Sequence, residues 1–111
     1  MGNLGKYDKF QGDRLGRFLG KMADTPEGNG SMLDNTIVDY GTSNSKTHVN
    51  RNYPLLAAGG SNLGIKHCGY HNFLETGKQP LCNLYVSFLQ SLDVPTQSFS
   101  DSTGVLKEIL S

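Results

Sequence analysis

Between a β-rich run that ends at Gly41 and an apolar run that starts at Tyr53 lies Thr42-Ser-Asn-Ser-Lys-Thr-His48-Val-Asn-Arg-Asn52. Nearly every side chain in it donates or accepts hydrogen bonds. His48 alone among them changes charge near neutral pH, so it is the residue that would bind a metal or move a proton. In open α/β sheets ligands bind beyond the carboxyl ends of strands, and this loop leaves the end of one. The plainer alternative is a solvated loop whose Ser, Thr and Asn satisfy their own backbone. A second cluster, His67-Cys68-Gly69-Tyr70-His71 with Cys82 further on, has the ligand types of a tetrahedral zinc site. Its spacing matches no standard zinc pattern, and no Cys-x2-Cys is present. Cys82 also sits beside Leu81 in a helical stripe, where a cysteine acts as a small buried hydrophobe. Cys68 and Cys82 allow at most one bridge, and nothing in the sequence fixes their separation.

Several chemistries are excluded by their missing signatures. The chain has no Gly-x-Gly-x-x-Gly after a strand, no phosphate-binding Gly-x4-Gly-Lys, no Gly-x-Ser-x-Gly and no His-Glu-x-x-His. Ten basic residues balance ten acidic ones and only 18% of the chain is charged, which argues against a nucleic-acid stripe, a polybasic lipid patch or an acidic tail. No run of about 18 apolar residues suggests membrane insertion, and Met1-Gly-Asn-Leu-Gly-Lys6 lacks the apolar core of an export signal.

The elements that would position these residues can be read from periodicity. Tyr7, Phe10, Leu15, Phe18, Leu19 and Met22 form a helical stripe interrupted by Gly12, Gly16 and Gly20. Each glycine costs up to about 1 kcal/mol against alanine, so this helix needs tertiary support. The Gly16/Gly20 spacing would admit a second backbone, although simple tolerance explains it equally well. The stretch 24–31 reads as a polar turn cluster, followed by a short β-rich run of Met32-Leu33 and Thr36 to Tyr40 that ends at Gly41. Asp39 in that strand requires an open face or a partner. Residues 53–58 suit a buried parallel strand entered through Pro54 and leaving through Gly59-Gly60. Residues 61–77 are irregular, with a hairpin or lid-like loop expected. Leu81, Leu84, Tyr85, Phe88, Leu89 and Leu92 define the best helix, from Pro80 to about Leu92. Asp101-Ser-Thr-Gly104 is turn or cap chemistry before a short apolar tail. The order is α/β logic, yet two strands and two helices make a thin domain. A fragment of a larger, mostly parallel sheet flanked by helices is therefore expected, or an oligomer in which a partner chain completes the sheet.

A family resemblance rests on several separate motifs. Thr25-Pro-Glu-Gly-Asn-Gly-Ser-Met-Leu-Asp34, Tyr40-Gly-Thr-Ser-Asn-Ser-Lys-Thr-His48, Asn52-Tyr-Pro-Leu-Leu-Ala-Ala-Gly-Gly60, Leu63-Gly-Ile-Lys-His67, Pro80-Leu-Cys-Asn-Leu-Tyr85 and Ser98-Phe-Ser-Asp-Ser-Thr-Gly104 resemble, in order, the C-terminal part of the bacterial proteins grouped as domain of unknown function 1552. Those proteins occur widely in planctomycetes. The resemblance covers nearly the whole chain from about Phe18 onward.

It implies that residues 1–111 correspond to the last portion of a longer, exported protein, periplasmic or extracellular, whose remaining part would carry the export signal and most of the sheet. It also implies an alkaline phosphatase-like or sulfatase-like α/β architecture, with metal ions at strand ends acting on phosphate or sulfate esters, an analogy at the level of fold. The loop after Tyr40 would be the matching place for a metal-binding carboxylate and histidine. Some family members carry Ser-Asp-Gly-Asn-x-His-x-His there, whereas this chain has Asn44 for the aspartate and Asn50 for the second histidine. Another branch, with Ser-Asn-Ser-x-Thr-His and Asn-Tyr-Pro, is closer. An amide is a poorer ligand than a carboxylate for a divalent cation, which weakens the expectation of metal there. The resemblance thus points to a metal or anion site on loop 41–52, with His48 as the metal ligand or anion contact, Asn44, Asn50 and Asn52 around it and His67 facing the same site. The superfamily nucleophile follows an early strand that this chain lacks, so hydrolysis by these residues alone is not expected. The competing reading is a noncatalytic binding or assembly module whose partner is a second chain.

Overall fold

The computed structural model describes residues 2–42, 54–67, 69–72 and 79–110. It is a mixed α/β arrangement of two helices and two small antiparallel sheets. Helix α1 spans Asn3–Ala23. A minimal hairpin of β1, Pro26–Glu27, and β2, Gly30–Ser31, follows inside the stretch that reads in sequence as a turn cluster. Strands β3, Ile37–Gly41, and β4, Leu55–Gly59, form the second sheet. Helix α2 spans Leu81–Ser91, and single 3-10 turns lie at Ser61–Leu63 and Lys107–Ile109.

The expected parallel pairing of the two main strands is corrected: β3 and β4 pair antiparallel, with Ile37 opposite Gly59 and Gly41 opposite Leu55. Their connection runs from 42 to 54 and returns the chain to the end it left. A parallel pair needs a crossover, usually a helix that packs on the sheet and reverses the chain a second time. The polar, unpatterned residues of this connection provide no apolar stripe for one.

Gly59 makes the close exit from β4 possible. Its φ is +80°, and a Cβ there would run into the carbonyl oxygens of Thr36 and Leu33. With that approach allowed, Gly60 N–H donates to the Leu33 carbonyl at 3.0 Å and Asn62 N–H to the Asp34 carbonyl at 3.0 Å. The segment after the hairpin is thereby tied to the turn before it.

Helix α2 is buried on two sides. One carries Leu84 and Phe88, which pack with Ile65 and Leu106 into the core, flanked by Ile37, Ala57, Leu81, Tyr85, Ile109 and Leu110. The other carries Asn83 and Ser87, exposed by 2% and 0%. Asn83 Oδ1 accepts from Thr103 N–H at 2.7 Å and Gly104 N–H at 3.2 Å, while its amide donates to Gln79 Oε1 and Thr103 Oγ1. Ser87 Oγ donates to the Asn83 carbonyl and accepts from Leu106 N–H at 2.8 Å. Two side chains thus satisfy three backbone donors of the tail and draw it across the helix. Residues 99–104 form the turn expected for them, with Ser102 N–H reaching the Phe99 carbonyl. The helix ends in a Schellman arrangement, with Val94 N–H on the Leu89 carbonyl and Asp93 at φ +59°.

Alternation along the hairpin gives Ile37, Asp39 and Ala57 to the side that meets this core, and Val38, Tyr40, Leu56 and Ala58 to the other. Tyr40 and Leu56 are 40% and 46% exposed. The second side is apolar and largely uncovered.

Helix α1 has no extensive packing against another helix or strand among the described residues. Only Met22 near its end is buried, with Leu33 N–H bound to its carbonyl. Among the described residues, no atom outside the helix's own adjacent backbone lies within 4 Å of a Cβ built at Gly12, Gly16 or Gly20, so none of them brings a second backbone to that stripe.

Two stability measurements follow. Asn83→Ala strands the Thr103 and Gly104 donors in a buried setting and should cost about 2–4 kcal/mol in urea denaturation. Gly16→Ala meets open space and should stabilise α1 by up to about 1 kcal/mol, read as slower amide exchange along the helix.

Candidate functional site

The loop that carries Asn44, His48, Asn50 and Asn52 lies outside the described residues, but its two bases are placed. Gly41 and Leu55 face each other at one end of the β3–β4 ladder, and the loop leaves and returns there. His67 is found at the other end, with Nε2 2.7 Å from the Gly59 carbonyl oxygen. A carbonyl only accepts, so Nε2 carries the hydrogen and Nδ1 is the nitrogen left for a ligand. A five-residue ladder is about 13 Å long. The described residues therefore do not bring His67 next to the bases of the loop with which the sequence groups it.

His71 is exposed, Cys82 is half-buried on α2, and Cys68 lies outside the described residues. Among the described residues no three His, Cys, Asp or Glu side chains are grouped so as to hold a metal ion.

The densest polar constellation was not singled out by sequence reasoning. It joins the turn 29–35 to the 3-10 turn after β4. Asp34 Oδ2 accepts from Ser31 N–H at 2.9 Å while Asp34 N–H donates to Ser31 Oγ at 3.2 Å, a reciprocal pair. Asp34 Oδ1 accepts from Ser61 Oγ at 2.8 Å. Asn62 donates to Asn29 Oδ1 and Asn35 Oδ1, and Asn35 donates to the Glu27 and Ser31 carbonyls. The signal that could have found it is Ser31-x-x-Asp34, the spacing of a capping box, used here to close a turn with no helix behind it.

This geometry decides what the cluster can do chemically. Hydrogen bonds from the Ser31 backbone, then from the Ser61 and Ser31 hydroxyls, hold the Asp34 carboxyl below its ordinary value of 3.8. An ionised carboxylate with both oxygens engaged has no proton to donate and is a weak base. It is a clamp between two turns, and the space a Cβ at Gly30 would need is taken by Asp34 Oδ2 at 2.6 Å.

Asp39 has the opposite electrostatics. It stands on the core-facing side of β3 opposite Ala57, exposed at its tip but partly withdrawn from water, and that desolvation raises its carboxyl above 3.8. Of the two settings its position requires, exposure to solvent is the one found, at the middle of the ladder.

No family model, curated protein or solved structure matches the chain.

The two carboxylates should respond oppositely to pH. Asp34 is lowered, so its contribution is present above pH 3.8 and is lost as pH falls through the folded value. Asp34→Ala should therefore lower the melting temperature at pH 7, with the gap narrowing in acid. Asp39 is raised, so its ionisation opposes folding above the folded value. Asp39→Asn should raise the melting temperature at pH 7, and the gain should vanish below pH 3.8, where both forms are neutral. Thermal melts between pH 3 and pH 7 measure both.

Proposed function

We propose that the chain is the closing segment of a larger α/β protein resembling the phosphatase and sulfatase-like superfamily, and that its loop 41–52 contacts an anionic group of the phosphate or sulfate class. In this reading the β3–β4 sheet docks against further strands and a covering layer supplied by the rest of that protein. The observation that carries the docking is the apolar side of the hairpin on which Tyr40 and Leu56 are exposed beside half-buried Val38 and Ala58, opposite a side already met by α2. An antiparallel sheet commonly leaves its second face polar and solvated, so an apolar second face calls for a covering layer. An isolated two-stranded sheet is, moreover, marginal by itself.

The divalent metal that the resemblance implies does not fit the donors present. The loop offers one imidazole among neutral amides, with Asn44 and Asn50 where a carboxylate and a second histidine would stand. Hard divalent cations favour carboxylate oxygens. Amide N–H groups and a protonated imidazole suit the oxygens of an anion instead, with His48 as the charged contact and Asn44, Asn50 and Asn52 orienting it.

The same uncovered side supports a second reading, a noncatalytic assembly module that completes its sheet with another copy of itself. Sedimentation separates the two. A discrete dimer favours the assembly module, whereas weak association without fixed stoichiometry, lost in Leu56→Lys, fits a segment lacking its natural cover. A monomer with full amide protection in β3 and β4 would sink both.

The ligand reading has its own measurement. Inorganic phosphate or sulfate should slow amide exchange across 44–52, and His48→Ala should remove that effect. Unchanged exchange, or an equal effect in His48→Ala, would overturn the anion site.

A further inference from the structure

Whole-chain neutrality conceals a separation of charge that the fold makes physical. Helix α1 holds Lys6, Lys9, Arg14, Arg17 and Lys21 against Asp8 and Asp13, a net +3, which leaves −3 on the rest of the chain. Lys9 is paired with Asp13 at 2.8 Å, so the excess resides on Lys6, Arg14, Arg17 and Lys21. At about 100° per residue these four fall on one side of the helix, within and along one border of the stripe formed by Leu4, Tyr7, Phe10 and Phe18. That stripe is uncovered: Leu4 is 75% exposed, and Tyr7, Phe10 and Phe18 are each more than half exposed. The Arg14 guanidinium lies over the Phe10 ring at 4.9 Å, so charge and apolar surface are intermixed at the border.

We propose that α1 is an interfacial helix that lies on an anionic lipid surface, its Leu4–Tyr7–Phe10–Phe18 stripe in the headgroup boundary and its basic border on lipid phosphates. The proposal is independent of the reading of the sheet and of loop 41–52. Three observations select this occupant. The apolar stripe with a basic border is the pattern of helices that rest in the interface plane. A second copy of α1 would bring one +3 helix against another, an arrangement that charge opposes. The exposed apolar area, on the order of 400 Å² for three half-exposed aromatics and a leucine, is also well below the roughly 800 Å² per partner of a stable dimer. Finally, Gly12, Gly16 and Gly20 weaken the helix in water, and among the described residues of the helix only Met22, near its end, is buried to compensate. A surface that pays back the folding of such a helix is one that covers its whole length. No helix among the described residues is long and apolar enough to cross a membrane, so the association proposed is peripheral.

The test uses the complete 111-residue chain and vesicles of phosphatidylcholine alone or mixed with phosphatidylglycerol, read by flotation. Binding to the mixed vesicles should exceed binding to neutral ones by about tenfold or more, since each basic residue near an anionic surface contributes on the order of 1 kcal/mol. High salt should remove the difference. Arg14→Glu with Arg17→Glu should abolish the preference, and Phe10→Ser with Phe18→Ser should lower binding to both. All four residues are exposed, so circular dichroism without lipid should be unchanged. Equal binding to both vesicles, no binding, or variants that bind like the parent chain would overturn the proposal. So would a lipid-free dimer that Phe10→Ser with Phe18→Ser dissolves, which would assign the stripe to a second copy.

Discussion

Asn83 and Ser87 are buried one turn apart on α2, and between them they take the backbone N–H groups of Thr103, Gly104 and Leu106. A buried amide is tolerated only when its donors and acceptor are all engaged, and here Gln79 and Thr103 complete the set for Asn83. The consequence extends beyond local satisfaction. With the tail pinned across α2, Leu106 reaches the core beside Leu84 and Phe88, and Leu110 bridges to Ile65. That bridge brings in the segment after β4, whose Lys66 N–H bonds the Ile109 carbonyl at 2.7 Å. The hairpin, the helix and the tail therefore share one core because polar contacts on one side of α2 fix what the apolar side can meet.

The second constraint acts at the far edge of that core. Gly59 and Gly60 let the chain turn sharply out of β4 so that Ser61 and Asn62 reach the Asp34 turn. Asp34, held ionised by its hydrogen bonds, anchors the base of the hairpin from outside the apolar core. Both clamps work by satisfying backbone and side-chain polar groups at places where the chain has little apolar material to bury. They give order to the region between α1 and α2 without covering the outer side of the sheet.

What is left over is as informative as what is packed. Tyr40 and Leu56 on the sheet, and Leu4, Tyr7, Phe10 and Phe18 on α1, are large exposed apolar side chains that share one side of their element. The two patches differ in their borders. The sheet patch belongs to a ladder of two strands among the described residues and suits an apolar layer, whereas the helix patch is edged by lysine and arginine and suits an anionic plane.

The sequence by itself determined both helices, because apolar residues at helical spacing and the breaks at Asp24 and at Val94-Pro95 are local properties. It also located both main strands and the glycine exit at 59–60. Only the tertiary structure decided the strand direction, since pairing depends on where residue 55 returns relative to Gly41 and not on the composition of either strand. It alone revealed that Asn83 binds the tail and that Ser31 and Asp34 form a reciprocal clamp with Ser61, since those partners are distant in sequence or have no helix to advertise them. The charge separation had the same origin. A net charge of zero is a sum over the chain, while a field depends on which residues share a face, and that is settled only when α1 forms and stands apart from the core.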